Sequence, residues 1–140
     1  MSRPRILLAE DFSGVADALK GLLEPDFDLL GVVEDGMALV EAAKRLQPDV
    51  IVADISMPRL DGLSAPAEMK KENPLVKVVF TTMYGEPSYA RMALKAGACG
   101  YVVKHSAWSE LIPAILMALE GKIFVSPSLS GVVGRENPHE

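Results

Sequence analysis

The strongest constraint on the fold is an alternation of short apolar runs with segments of helical periodicity. Five apolar runs occur, at residues 6–9, 29–33, 50–53, 76–80 and 100–103. Each is followed by a stretch in which apolar residues recur every three or four positions, as at Val15, Leu19 and Leu22. This alternation predicts an α/β domain, a doubly wound five-stranded parallel sheet with helices on both faces.

Composition limits the number of domains and the classes of function. At 140 residues the chain is expected to form one domain at residues 1–121, followed by a linker or tail at residues 122–140. The net charge of −5 argues against non-specific binding to nucleic acid or anionic membranes. Cys99 is the only cysteine, which excludes a disulfide framework. No apolar run approaches the roughly 20 residues of a membrane span, and the expected location is the cytoplasm.

Polar side chains follow the apolar runs closely. They are Glu10, Asp11, Asp54, Thr82 and Lys104. In a doubly wound sheet of five strands, the first, third and fourth strands are central, and their carboxyl ends converge on one crevice. Each residue alone has a structural explanation, such as a turn or a helix cap. Their joint placement at successive strand ends indicates a functional site.

The residue types at these strand ends suit phosphoryl chemistry. Carboxylates without a nearby histidine or cysteine favour a hard cation, Mg²⁺ or Mn²⁺. The Thr82 hydroxyl and the Lys104 ammonium are suited to binding an oxyanion. Asp54 would be the nucleophile, since a carboxylate can form an acyl phosphate.

These residues and their neighbours resemble the receiver domain of two-component response regulators, over about residues 5–121. The motifs that carry the resemblance are residues 7–11, residues 52–58 with Asp61 and Gly62, residues 80–82 and residues 95–104. The resemblance implies a flavodoxin-like (CheY-like) three-layer sandwich. It also implies that Asp54 accepts a phosphoryl group from a sensor histidine kinase or phosphotransfer protein. From the resemblance, the domain is expected to be a self-phosphorylating and autodephosphorylating phosphoacceptor rather than a turnover enzyme.

The resemblance assigns roles to individual residues. The implied Mg²⁺ ligands are Glu10, Asp11, Asp54 and the backbone carbonyl of Ser56. Thr82, the second of two adjacent threonines, matches the switch hydroxyl by its spacing from Lys104. Tyr101 matches the switch aromatic, whose ring turns inward when the threonine moves to the phosphoryl group. Ser56 and Tyr84 are expected to tune the lifetime of the acyl phosphate.

The sequence also resembles one subgroup of receivers, the NarL- and LuxR-type regulators. His105 follows the site lysine where many receivers have proline, and residues 119–127 resemble the start of that subgroup's linker. The implied output is control of transcription through a LuxR-type helix-turn-helix, which is expected to be absent from this chain, so DNA would be reached only through that domain. The alternative is a stand-alone receiver that acts as a phosphorelay or interaction module without DNA binding. A homodimer is compatible with either.

Two other functions compete with a phosphorylated receiver. Phosphohydrolases that resemble haloacid dehalogenases also use an aspartyl nucleophile and Mg²⁺. They need a second aspartate two residues after the nucleophile, where this chain has Ser56. The other competitor is a receiver that is never phosphorylated and serves only as an interaction module. The presence of every expected site residue speaks against it.

Overall fold

Six parallel strands form one sheet in the computed structural model, which describes residues 3–59, 64–83 and 87–129. The strands are β1 (Arg5–Ala9), β2 (Asp28–Val33), β3 (Val50–Asp54), β4 (Lys77–Thr82), β5 (Gly100–Val103) and β6 (Phe124–Val125). Their order across the sheet is β2-β1-β3-β4-β5-β6, and every neighbouring pair is parallel. The first, third and fourth strands are therefore internal, as predicted.

Helices cover both faces of this sheet. They are α1 (Ser13–Leu23), α2 (Gly36–Leu46), α3 (Ala65–Glu72), α4 (Pro87–Lys95) and α5 (Ala107–Leu119). Side chains of α2, α3 and α4 join one buried cluster, whereas those of α1 and α5 join a second cluster on the opposite face. This three-layer arrangement confirms the predicted doubly wound α/β fold. No helix within the described ranges is long and apolar enough to cross a membrane.

The central strand β3 is buried along its whole length. Ile51 and Ala53 pack into the cluster beneath α2, α3 and α4, whereas Val50 and Val52 pack into the cluster beneath α1 and α5. Because successive side chains of a strand point to opposite faces, a strand covered on both sides needs apolar residues at every position. The unbroken apolar run before Asp54 is explained by this burial.

Local sequence signals set the ends of the helices. The Asp35 carboxylate caps α2 by accepting a hydrogen bond of 2.8 Å from the amide of Ala38. The same helix ends at Gln47, whose φ of 50° is left-handed, and Pro48 follows. Gly97, with a φ of 113°, makes the turn between α4 and β5. The turns at Gln47 and Gly97 lead the chain into β3 and β5.

The sixth strand was not predicted. Phe124 and Val125 pair with β5 and extend the sheet within the segment expected to be a linker or tail. Phe124 packs on the α1 and α5 side of the sheet, and Val125 packs on the opposite side. Leu129, only 5% exposed, also joins the core. A two-residue strand is too short to show a periodic pattern, because strand recognition depends on runs of about four residues or more.

Candidate functional site

Strand register brings the carboxylates of β1 and β3 together at one edge of the sheet. Ala9 is the register partner of Ala53, so Glu10 and Asp54 leave neighbouring strands side by side. Asp11 follows directly. Carboxylate oxygens of Glu10, Asp11 and Asp54 all lie within 4.8 Å of one another. The three carboxylates that the sequence predicted to converge are therefore in one cluster.

The hydroxyl and the ammonium reach the same edge from β4 and β5. Asp54 is the register partner of Thr81, and Thr82 is the register partner of Val103. Lys104 follows Val103 and begins a short 3-10 turn that leads into α5. Thr82 is buried at the carboxyl end of its strand. All five side chains predicted from the strand ends thus lie along one edge of the sheet.

Lys104 binds two of the carboxylates. Its Nζ lies 2.6 Å from Glu10 Oε1 and 2.9 Å from Asp54 Oδ2, and all three side chains are at least 93% buried. Charges buried to this degree lose hydration, and only close opposite charges offset that loss. Three carboxylates against one ammonium leave an excess of two negative charges at the site. That excess suits a divalent cation.

Only one of the two carboxylate oxygens of Glu10 accepts a directed hydrogen bond. Its Oε2 accepts a hydrogen bond of 3.2 Å from the amide of Phe12. Its Oε1 is in ion-pair contact with Lys104, but at angles that do not make a directed hydrogen bond. Burial raises the pKa of Glu10, and the nearby Lys104 ammonium only partly opposes that effect. A buried carboxylate oxygen without a directed donor is a fitting ligand for a cation.

Lys104 and the backbone after β3 fix the orientation of Asp54. The Ser56 amide donates a hydrogen bond of 2.9 Å to Asp54 Oδ1, while Lys104 donates to Oδ2. Burial lowers the pKa of Lys104, but the close carboxylates of Glu10 and Asp54 outweigh burial, so the pKa is raised overall. Lys104 is therefore a permanent cation at neutral pH, beside Asp54 Oδ2.

The donor set fits Mg²⁺ or Mn²⁺. The cluster offers carboxylate oxygens alone, and neither His nor Cys belongs to it among the described residues. Hard divalent cations prefer oxygen ligands and retain several waters. Asp11 is only half-buried, which leaves one side of the cluster open to those waters. The residues present are thus compatible with the cation that the sequence predicted.

The remaining predicted residues lie in different surroundings. Tyr101 is 1% exposed and packed in the core, which is the inward position that the resemblance associates with the phosphorylated form. Ser56 is exposed beside Asp54, where its backbone amide contacts the carboxylate. Tyr84, together with Asp61 and Gly62 of the motif, lies outside the described residues. Its predicted effect on acyl-phosphate lifetime stays a prediction.

Exposed apolar side chains surround the site. Phe12 follows Asp11, Met83 follows Thr82, and Trp108 begins α5; their exposed fractions are 61%, 51% and 63%. Trp108 also lines a groove of about 310 Å³ between α1 and α5, and Lys104 is part of the lining of the same groove. Exposed apolar groups concentrated in one place mark surfaces that bind other molecules. The site therefore opens onto a surface suited to a protein partner.

Two polar residues near Lys104, Ser126 and Glu110, were not predicted from the sequence. Ser126 is completely buried, and its hydroxyl hydrogen-bonds to Val103 and to Glu110. The signal that could have identified Ser126 is the one used for the other strands, a polar residue directly after an apolar run, here residues 123–125. That run was too short to be recognised as a strand, so Ser126 was not identified as a residue at a strand end.

Known proteins share both the sequence pattern and the fold. The transcriptional regulatory protein YvfU of Bacillus subtilis (strain 168), described as uncharacterized, is 36% identical over 137 residues, which is 96% of this chain and 68% of YvfU. The transcriptional regulatory protein DesR of the same organism is 37% identical over 126 residues, 89% of this chain and 62% of DesR. This chain thus spans about two thirds of the length of these curated relatives.

A solved structure and a family match agree with these relatives. The LuxR-family two-component response regulator from Aurantimonas sp. SI85-9A1 has a TM-score of 0.89 and 28% identity, covering 96% of this chain and 98% of that chain. Residues 6–116 match the response regulator receiver domain family. The matched region includes every strand and helix that builds the site, from β1 to most of α5. The chain belongs to the receiver domain family of two-component response regulators.

Proposed function

We propose that Asp54 of this receiver domain accepts a phosphoryl group from a phosphohistidine of a sensor histidine kinase or phosphotransfer protein. One observation carries the proposal: Lys104 bridges Asp54 and Glu10 at 2.9 Å and 2.6 Å, at the strand edge where Asp11 and Thr82 also lie. Membership of the family implies interaction with such a phosphoryl donor.

The reaction exchanges one bond to phosphorus for another. A carboxylate oxygen of Asp54 forms a bond to phosphorus while the bond between phosphorus and the donor's imidazole nitrogen breaks. The donor imidazole, which carries a proton on its other ring nitrogen, keeps the electron pair and leaves as a neutral ring. Lys104 is already hydrogen-bonded to Asp54 Oδ2 and needs only a short movement to pair with a phosphoryl oxygen. The Thr82 hydroxyl is proposed to donate a hydrogen bond to a second phosphoryl oxygen.

A divalent cation completes the proposed site. Mg²⁺, or Mn²⁺, would be held by Glu10, Asp11, Asp54 and the backbone carbonyl of Ser56. The excess of two negative charges and the oxygen-only donor set support this assignment. When bound, the cation would neutralise charge on the transferring phosphoryl group, a reaction governed mainly by positioning and electrostatics. The remaining contributions, from orientation of Asp54 to charge pairing by Lys104, come from the protein.

The output is proposed to be transcriptional control within a longer protein. YvfU and DesR are transcriptional regulatory proteins, and this chain spans only part of each. In the proposed switch, Thr82 and Tyr101 respond to the phosphoryl group, and the face formed by α4, β5 and α5 changes its preference for partners. We place the domain in the cytoplasm, where phosphoryl donors derived from ATP are found.

The test of this function is incubation with Mg²⁺ and acetyl phosphate, followed by intact-mass analysis. A persistent adduct of one phosphoryl group per chain supports the proposed receiver. Absence of an adduct, together with no change in Trp108 fluorescence on adding beryllofluoride, would favour an interaction module. Rapid turnover of many phosphate esters would favour a hydrolase instead.

The affinity for Mg²⁺ is expected to fall as the pH falls. Because the pKa of Glu10 is raised, this carboxyl takes up a proton at a higher pH than an exposed glutamate, and that proton must leave before a cation can bind. Titration calorimetry between about pH 8 and about pH 5 should show a decline in affinity that is steeper for the wild type than for Glu10→Gln. Equal slopes for the two proteins would contradict this role of Glu10.

Substitution of Trp108 by alanine is expected to slow phosphotransfer from a kinase without slowing phosphorylation by a small donor. Trp108 lies on the groove that adjoins Lys104 and is 63% exposed, so its indole is available to a partner. Large aromatic side chains at interface centres often contribute a tenfold or larger effect, so we expect roughly a tenfold loss. The phosphoryl donor in the kinase assay is chosen from a panel of purified histidine kinases as the one that phosphorylates the wild type fastest.

The matched control for this substitution is Leu75→Ala. Leu75 is 82% exposed and precedes β4, at the end of the strand opposite Thr82. Kinase transfer to Leu75→Ala should equal that to the wild type. Parallel loss of transfer from the kinase and from acetyl phosphate in Trp108→Ala would assign Trp108 to the site itself rather than to docking.

A further inference from the structure

Ser126 makes four hydrogen bonds from a completely buried position after β6, and in one of them its carbonyl accepts from the amide of Leu129. Its hydroxyl oxygen accepts a hydrogen bond of 2.8 Å from the amide of Val103 and donates one of 2.5 Å to Glu110 Oε1. Its own amide donates a hydrogen bond of 3.0 Å to the carbonyl of Tyr101. Because both its hydroxyl and its amide are hydrogen-bonded within the core, Ser126 is held in one position.

These contacts lie on both sides of Lys104. Val103 directly precedes Lys104, and Glu110 lies six residues after it, in the first turn of α5. Only a three-residue 3-10 turn, Lys104–Ser106, connects β5 to α5. Ser126 therefore ties the end of the strand and the start of the helix to one another across the turn that carries Lys104.

The Ser126 hydroxyl takes the place of a strand partner at the end of β5. The strand β6 has only two residues, and its ladder pairs Gly100 with Phe124 and Tyr101 with Val125. The amide of Val103 lies beyond this ladder and is satisfied by the side chain of Ser126 instead. Without that hydroxyl, a buried backbone donor next to Lys104 would lose its partner, which is unfavourable.

We propose that Ser126 and Glu110 are positioning residues for phosphorylation: they fix the backbone on both sides of Lys104 so that its ammonium reaches the phosphoryl group. This inference rests on the proposed function, because it requires Lys104 to bind that group. The side chains that do this lie outside the carboxylate cluster, and Ser126 lies beyond residues 6–116, the part of the chain that matches the family.

The test compares two disrupting variants with two matched controls. Ser126→Ala removes the hydroxyl, and Glu110→Met removes its acceptor; Ser128→Ala removes an exposed hydroxyl nearby, and Glu110→Gln keeps an acceptor oxygen at the same place. Each protein is phosphorylated with acetyl phosphate and Mg²⁺ well below its melting temperature. The side-chain Cε NMR signal of Lys104, assigned by its loss in Lys104→Met, is recorded for each protein without phosphate.

Both disrupting variants should be phosphorylated more slowly, on the order of tenfold, as expected for loss of one hydrogen bond to a buried group. Their Lys104 signal should shift, while both controls keep the wild-type rate and signal. If Ser126→Ala does not fold, the comparison of Glu110→Met with Glu110→Gln decides. Folded disrupting variants with the wild-type rate and an unshifted Lys104 signal would overturn the inference. Absence of phosphorylation in the wild type would overturn the proposed function instead.

Discussion

Replacement of Asp54 by asparagine is expected to abolish stable phosphorylation, with a loss of at least about a hundredfold in the rate of adduct formation. The amide retains the shape of the side chain, and its single oxygen can still accept a hydrogen bond from Ser56 or from Lys104, which bind separate carboxylate oxygens at 2.9 Å each. It lacks the negative charge that makes the oxygen a nucleophile. The measurement is the mass of the protein after incubation with acetyl phosphate and Mg²⁺.

The matched control for this variant is Asp26→Asn, which removes an exposed carboxylate between α1 and β2. It should be phosphorylated at the wild-type rate, because Asp26 does not belong to the carboxylate cluster. A persistent adduct of the wild-type yield in Asp54→Asn would show that the phosphoryl group is bound elsewhere.

Replacement of Lys104 by methionine is expected to lower the free energy of unfolding by about 3 kcal/mol at neutral pH without Mg²⁺. Lys104 is the ammonium between Glu10 and Asp54, and its removal leaves two buried carboxylates close together without an opposite charge. Urea unfolding of the wild type and the variant, at several pH values and with or without Mg²⁺, measures the effect.

The pH dependence of this loss has a definite sign. Without the ammonium, the pKa of Glu10, already raised by burial, rises further above its value in the unfolded chain. A group with a raised pKa in the folded state contributes stability below its unfolded pKa and loses that contribution as the pH rises through the folded value. The deficit of Lys104→Met should therefore be largest near neutral pH and shrink in mild acid. Added Mg²⁺ should also reduce it, because the cation replaces the lost positive charge.

The control for this substitution is Lys122→Met. Lys122 pairs with Glu120 at 3.1 Å, but both side chains are more than 60% exposed. Exposed ion pairs contribute little, so its unfolding free energy should stay within about 0.5 kcal/mol of the wild type at every pH. A deficit for Lys104→Met as small as this control, or one that grows as the pH falls, would contradict the electrostatic account of the site.

The site residues at the strand ends could be predicted because local sequence patterns mark where each strand ends. The run before Asp54 is apolar at every position, as a strand covered on both faces requires, and its end is marked by a charge. Glu10 and Lys104 follow similar runs. Once the alternation with helices implied a parallel sheet, the carboxyl ends of the strands had to share one edge.

The contacts within the site could not be predicted in the same way. The 2.6 Å contact between Lys104 and Glu10 depends on the register of strands and on side-chain conformation, which periodicity does not determine. Ser126 was missed because it follows a two-residue strand, whose formation depends on the exposed edge of β5 rather than on a local pattern. The inward position of Tyr101 likewise depends on packing beneath α4.

The location of the phosphoryl group on the chain tests most directly whether Asp54 is the phosphoacceptor. After phosphorylation with acetyl phosphate and Mg²⁺, borohydride reduces an aspartyl phosphate to homoserine, and peptide mass spectrometry then identifies the modified position. We expect modification at Asp54 alone. Modification at Asp11 or at another carboxylate, or a borohydride-resistant phosphate on His105, would contradict it.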